Sequence, residues 1–281
     1  MHARRTAVLC TLSLVLAATG VLPAPASAST QAGLSYVAIG SSFAAGPGIL
    51  PTEPGSPAAC GRSEDNYPNI VARDIGAQLT DVACSGATTA NVLTDDQAGQ
   101  PPQIDAVGSG TRLVTVTIGG NDIDYLGSLD SYSCQDENGT NCGTVDTGAI
   151  ATTLTVLTQR LNNVVRAVRA RAPRARVLLV NYFTILPRQG SCDGVPLTTD
   201  QLGYERYLAA KLLSDTSAAA RATGATVVNL AGASADHSAC SARPWVNTFD
   251  VAAGLVPYHP NVTGMTNAAR LVERALTCTV S

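Results

Sequence analysis

The sequence predicts an α/β protein: a doubly wound, mainly parallel five-stranded sheet flanked by helices. Three observations lead there. Short apolar runs alternate with longer stretches whose apolar residues recur at helical spacing, the order produced when helices connect parallel strands. The runs end in turns carrying Gly, Ser or Asn, so small and polar residues collect at strand ends, where open α/β sheets hold their ligands. With 281 residues, 45% of them hydrophobic, the chain can bury one substantial core.

The order begins with a targeting segment. His2, Arg4 and Arg5 precede an apolar stretch from Ala7 to Ala18, and Ala26-Ser27-Ala28 supplies the small residues of a cleavage site. Residues 1–28 therefore read as a signal peptide, with residues 29–281 as a single mature domain. The apolar stretch gives way to Pro23 and Pro25, short of the ~20 residues of a membrane span, so no stable membrane anchor is expected.

Residues 34–39 are the first strand, stopped by Gly40-Ser41-Ser42. The segment 47–68, rich in Pro, Gly and Ser, reads as a surface loop. Tyr67, Ile70, Val71 and Ile75 form a helical stripe that ends at Gly76. Residues 79–83 are a second strand leading into Cys84-Ser85-Gly86. Residues 113–118, β-branched almost throughout, are the clearest strand and run into Gly119-Gly120-Asn121-Asp122. Residues 128–146 read as a polar excursion, and 150–171 as one long helix with Leu154, Leu157, Leu161, Val164, Val165 and Val168 on one stripe. Pro173 stops it. A fourth strand at 176–180, a helix at 199–223 and a fifth strand at 226–230 follow. Residues 231–257 are irregular and lead to Tyr258-His259-Pro260-Asn261 and a last amphipathic helix through Leu271, Val272 and Leu276.

Composition removes several function classes. The formal net charge is −3 and no basic stripe occurs, whereas a nucleic-acid binder needs rows of Lys and Arg to displace counterions. Cys10 lies in the leader; Cys60, Cys84, Cys134, Cys142, Cys192, Cys240 and Cys278 remain, which in an oxidising compartment implies three disulfides and one leftover thiol. No Cys-x-x-Cys or His-x-x-His spacing is present, so neither a metal nor another cofactor is expected. The simplest pairing joins neighbours along the chain, Cys60 with Cys84, Cys134 with Cys142 and Cys192 with Cys240. Sequence alone leaves other pairings open.

A serine standing on a small-residue turn after a strand is a candidate nucleophile. Ester hydrolysis then needs a base, and donors for the oxygen that becomes negative. Past the leader there are two histidines. His237 sits beside Cys240, where a structural loop role suits it, and His259 sits just before Pro260 and the last helix. Position favours His259 without deciding between them. The Gly86 amide and the Asn121 side chain are suitable oxyanion donors because they carry no charge that must be desolvated. Phe43, Tyr125, Tyr182, Phe183, Ile185 and Leu186 lie near strand ends, as core or as the lining of an acyl groove.

Taken in order, Gly40-Ser41-Ser42-Phe43, the Gly86 turn, Gly119-Gly120-Asn121-Asp122 and Tyr258-His259-Pro260-Asn261 resemble the SGNH (GDSL) hydrolases. The likeness extends to the secreted, three-disulfide actinobacterial lipases and esterases of that superfamily, including the cysteine pattern and Arg243-Pro244-Trp245-Val246. It implies a flavodoxin-like three-layer sandwich, and a secreted, extracellular or cell-wall-associated serine esterase or lipase acting on lipid or short-chain acyl esters. The partner implied is that substrate, with the enzyme a monomer. Position by position, it implies Ser42 as nucleophile and first oxyanion amide, Gly86 as second amide donor, Asn121 as side-chain donor and His259 as general base.

Two positions depart from the family. Ser41 stands where an Asp usually precedes the nucleophile, and it is expected to hydrogen-bond locally instead. Val256 stands where an Asp usually precedes the histidine by three residues. The Val256 main-chain carbonyl is therefore expected to orient His259 through Nδ1, with Asp250 as the competing third member. A carbohydrate acetyl-esterase, wanting a more polar site, and a non-catalytic binding module that has kept the fold are the alternative readings.

Overall fold

The computed structural model describes residues 33–277; the expected leader and Cys278 lie outside the described residues. Five strands, β1 (Ser35–Gly40), β2 (Gln78–Asp81), β3 (Leu113–Thr117), β4 (Arg176–Val180) and β5 (Thr226–Val228), form one sheet in the order β2-β1-β3-β4-β5. Every neighbouring pair is parallel. In register, Tyr36 of β1 stands between Leu79 and Leu113. Strand order reverses between β1 and β3, and at such a switch point the two following loops part and leave a crevice beyond the carboxyl ends.

The helices supply two covering layers. On one side α2 (Tyr67–Ile75) packs on α9 (Val262–Thr277), and on the other α6 (Leu157–Arg171) packs on α7 (Thr199–Thr223). α2 starts because the Asn66 side chain accepts from the Asn69 amide, and it stops at Gly76, which is left-handed at φ 65°. β3 is buried throughout, including its two threonines. Their hydroxyls are satisfied by Tyr36 (2.8 Å from Thr115) and by Tyr67 of α2 (2.8 Å from Thr117).

Local chemistry overrides the helical period in two places. The expected helix over 150–171 is two helices, α5 (Thr147–Leu154) and α6, parted at Thr155 and Val156. Thr155 turns its hydroxyl onto the Thr152 carbonyl at 2.7 Å, a local bond that competes with continued helix. The expected polar excursion contains α4 (Tyr125–Asp136), whose buried face includes Ser128 and Ser133 as well as Tyr125, Leu126 and Leu129. Hydroxyls on that face weaken the apolar stripe that would announce a helix. Ser133 is satisfied there by the Tyr258 hydroxyl. The chain also forms two short helices that were not expected, α3 (Thr89–Leu93), with a Thr88–Asn91 capping box, and α8 (Leu230–Ala233), whose cap at Asn229 stops the fifth strand at Val228 rather than at 230.

Disulfides join Cys60 to Cys84, Cys134 to Cys142 and Cys192 to Cys240. The first adjoins the end of β1, where the Cys84 amide donates to the Gly40 carbonyl at 3.0 Å. It holds the loop after β1 to the turn after β2, where Ser85 adds two bonds to the Cys60 carbonyl, from its amide at 3.1 Å and its hydroxyl at 2.8 Å.

Candidate active site

Ser42 is the first residue of α1 (Ser42–Ala45), a single turn that leaves β1 without a loop. Gly40 makes this possible: a Cβ there would lie 2.8 Å from the Ala44 Cβ and 2.8 Å from the Thr117 carbonyl oxygen. Gln103 clamps the same residue, accepting from its amide at 2.9 Å and donating to its carbonyl at 3.0 Å. The turn is therefore fixed on both edges, and Ser42 is held at 5% exposure.

His259 reaches this serine from the opposite end of the chain. Its Nε2 lies 2.8 Å from the Ser42 Oγ, and its Nδ1 lies 2.7 Å from the Pro257 carbonyl oxygen. A carbonyl can only accept, so Nδ1 carries the proton and Nε2 presents a lone pair to the serine hydroxyl. The histidine is held by a short bridge between Val246 and Pro260, by Asn247 donating to its carbonyl at 2.8 Å, and by Asn261, whose side chain accepts from the Gly264 amide as α9 begins. This gives the Arg243-Pro244-Trp245-Val246 segment its local job. Phe43 packs against the imidazole with ring centres 5.4 Å apart.

The orienting carbonyl is Pro257, and the expectation of Val256 is corrected. The Val256 oxygen is taken by the Asn247 side chain at 2.9 Å and by the His259 amide. Tyr258 adopts a left-handed conformation at φ 57°, a bend that turns the Pro257 carbonyl back under the ring. Asp250 is exposed and makes no contact with His259; its main-chain oxygen accepts from the Thr248 hydroxyl. His237 is also elsewhere, its Nδ1 bonded to the Arg243 carbonyl at 2.8 Å and its ring stacked on Trp245.

The two turns that follow β2 and β3 are locked to each other. Asn121 donates its side-chain amide to the Ala87 carbonyl at 2.9 Å, next to Gly86, which sits exposed at φ 80°. Asp122, its side chain fully buried, accepts from the Thr89 amide at 2.9 Å and from the Thr89 hydroxyl, and it pairs with Arg160 at 3.1 Å. Ser41 does not bond locally as expected. Its hydroxyl lies 3.1 Å from that of Tyr182, 141 positions along the chain, and the same phenol oxygen accepts from the Gly120 amide at 3.0 Å. Tyr182 thus ties the end of β1 to the end of β3.

The pattern of the GDSL-like Lipase/Acylhydrolase family matches residues 38–266, which span all four blocks. The chain belongs to that family. Lipase 2 of Streptomyces coelicolor is 39% identical over 272 residues, 90% of this chain and 89% of that protein. Among solved structures, the extracellular lipase of Streptomyces rimosus superposes with a TM-score of 0.71 at 28% identity, over 86% of this chain and 100% of the other. The phospholipase A1 of Streptomyces albidoflavus superposes with a TM-score of 0.73 at 28% identity, over 86% and 99%. Membership makes this GDSL chain a carboxylic ester hydrolase.

In this GDSL hydrolase, burial pushes the His259 imidazole down to about 4, and the Pro257 carbonyl offsets that only in part. The histidine is therefore neutral, the form a base must take, through the whole neutral range. Tyr125, Tyr182, Phe183, Ile185 and Leu186 line a mainly apolar cavity of about 300 Å³ that Arg188 and Arg206 also border, and Phe43 packs on Tyr182 with ring centres 4.6 Å apart. Tyr182 belongs to both places, its ring facing the cavity and its hydroxyl holding Ser41. Sequence reasoning passed over Pro257, Gln103, the tie that the Tyr182 hydroxyl makes to Ser41 and the Gly120 amide, and the bonds of Asp122. Only Asp122 had a signal, its place beside Asn121. The other three act through main-chain or remote contacts that no spacing encodes.

Proposed function

We propose that this enzyme hydrolyses lipid or short-chain acyl esters through an acyl-enzyme on Ser42. The observation that carries the reading is the 2.8 Å contact between His259 Nε2 and the Ser42 hydroxyl, with Nδ1 already engaged. As Ser42 Oγ attacks the ester carbonyl carbon, His259 takes its proton at Nε2, and the carbonyl oxygen becomes negative. The Ser42 and Gly86 amides and the Asn121 side chain are the proposed donors to that oxygen. The Ser42 amide opens α1, where no intrahelical acceptor is available to it. When the C–O bond breaks, His259 returns the proton to the leaving alcohol. Water, deprotonated by the same imidazole, then cleaves the acyl-enzyme. The apolar cavity beside Tyr182 supports an acyl chain as the recognised part of the substrate.

The same reading makes residues 1–28 a leader that is removed and residues 29–281 an exported monomeric hydrolase, with no cofactor and no nucleic-acid partner. The similarity to a lipase described as extracellular supports export, and among the described residues no helix is long and apolar enough to cross a membrane. The test is a rate series on p-nitrophenyl acyl esters and a phospholipid for the wild type and Ser42→Ala. The variant is expected to lose ~10⁴-fold or more in kcat on every substrate with its fold intact. Equal labelling of both proteins by a fluorophosphonate probe would remove Ser42 from the mechanism.

A further inference from the structure

Among the described residues five large hydrophobic side chains stand exposed, and three of them lie together. Leu50 (77% exposed), Leu255 (42%) and Val262 (53%) line one open groove of about 390 Å³. The other two lie elsewhere, Val156 between α5 and α6 and Tyr207 on α7. The three come from the segments that carry the dyad: Leu50 follows α1, Leu255 precedes His259, and Val262 begins α9 just after it. The two loops are in direct contact, since a Cβ on Gly48 would lie 2.6 Å from the Gly254 carbonyl oxygen and 3.1 Å from the Leu255 Cα. None of the residues lining this groove, or the one beside it that shares Leu50 and Leu255, has an ionisable side chain, although the chain is acidic overall.

We propose that Leu50, Leu255 and Val262 form a docking surface by which the enzyme settles on a zwitterionic lipid surface. The proposal rests on the reading of the protein as a lipid-ester hydrolase. A clustered apolar patch without charge matches a surface whose headgroups carry no net charge, because neither partner must give up ion hydration. An anionic surface would repel the acidic chain around it. A soluble monomeric ester needs no such patch, so docking and chemistry are separable by experiment.

Binding is measured by flotation with phosphatidylcholine vesicles, using Ser42→Ala protein so that the vesicles stay intact, and Leu50→Ser and Leu255→Ser are added singly and together. Each leucine is expected to weaken vesicle binding ~10-fold and the pair ~100-fold. Tyr207→Ser, on an exposed apolar residue away from the patch, is expected to leave binding unchanged. With Ser42 present, the double variant should keep its rate on p-nitrophenyl acetate and lose rate on vesicle lipid. Circular dichroism and Tm on each variant separate loss of docking from loss of fold. Equal vesicle binding by wild type and double variant overturns the proposal. So does a wild-type dimer, seen by sedimentation, that the leucine substitutions dissolve, because a second copy would then own the patch. Hydrolysis of monomeric esters without vesicle binding would end the docking surface and leave the hydrolase reading standing. Leucine-dependent vesicle binding with no ester hydrolysed would do the reverse.

Discussion

His259 is pressed against Phe43 and has one main-chain oxygen as its fixed partner. Both facts bear on its proton. A carbonyl fixes the tautomer but cannot stabilise imidazolium as a carboxylate does, and burial adds to the cost of the charge. Activity should therefore persist into acid: kcat/KM on a neutral ester is expected to fall only as pH drops through about 4, the value burial gives the imidazole. A limb near the unperturbed 6.5 would contradict this environment. The same shift has a stability sign. Between 6.5 and about 4 the unfolded chain binds the proton and the folded one does not, so His259 lowers stability as pH falls through that window. Tyr182 is the other residue to test. Tyr182→Phe keeps the ring and removes the oxygen shared by Ser41 and the Gly120 amide. We expect kcat to fall ~10-fold, with KM nearly unchanged, because the loss acts on the position of Ser42 rather than on binding.

The elements that carry the site are short and are held at their ends. α1 is a single turn, and the turns after β2 and β3 have little regular structure, so hydrogen bonds between them do the work that a long helix would do by packing. Asp122 is the main tie, joining the turn after β3 to the start of α3 and to α6. Asp122→Ala leaves the buried Thr89 donors unmatched. It is expected to cost about 2–3 kcal/mol in urea-unfolding stability and ~10–100-fold in kcat/KM, as the Asn121 turn loosens. Arg160→Ala should cost under ~1 kcal/mol, since its side chain is 45% exposed and water screens the pair. Equal losses from the two substitutions would make the ion pair, rather than the bonds to Thr89, the tie. Strand ends and the α2, α7 and α9 stretches were legible because period and caps are local properties. The parting of α5 from α6 and the presence of α4 were not, because hydroxyl side chains satisfied locally or by Tyr258 mask the pattern.

At the scale of the whole molecule, buried acids set a pH dependence unrelated to catalysis: burial raises the carboxyls of both Asp81, to about 7, and Glu205. Glu205 of α7 is fully buried, and burial pushes its carboxyl up to about 8, a rise that a hydrogen bond from Ser128 offsets only in part. Its folded value is raised above the unfolded one, so it costs nothing below about 4.5 and destabilises progressively as pH rises toward 8. Glu205→Gln is expected to flatten the decline in Tm between pH 5 and 8, by about 2–4 °C for each kcal/mol relieved. An unchanged pH slope would show that the acid is solvated. The sequence by itself determined the strand–helix alternation, the order of the four motif blocks and the chemistry available at each strand end, because periodicity, turn residues and side-chain type are carried by neighbours along the chain. Only the tertiary structure decided that His259 meets Ser42, that Pro257 rather than Val256 holds the imidazole, and that Tyr182 takes the place beside Ser41. Those choices depend on bends such as the left-handed Tyr258 and on contacts between residues more than a hundred positions apart. The serine turn at the end of β1 gains its meaning there: the sheet brings its distant partners to one crevice.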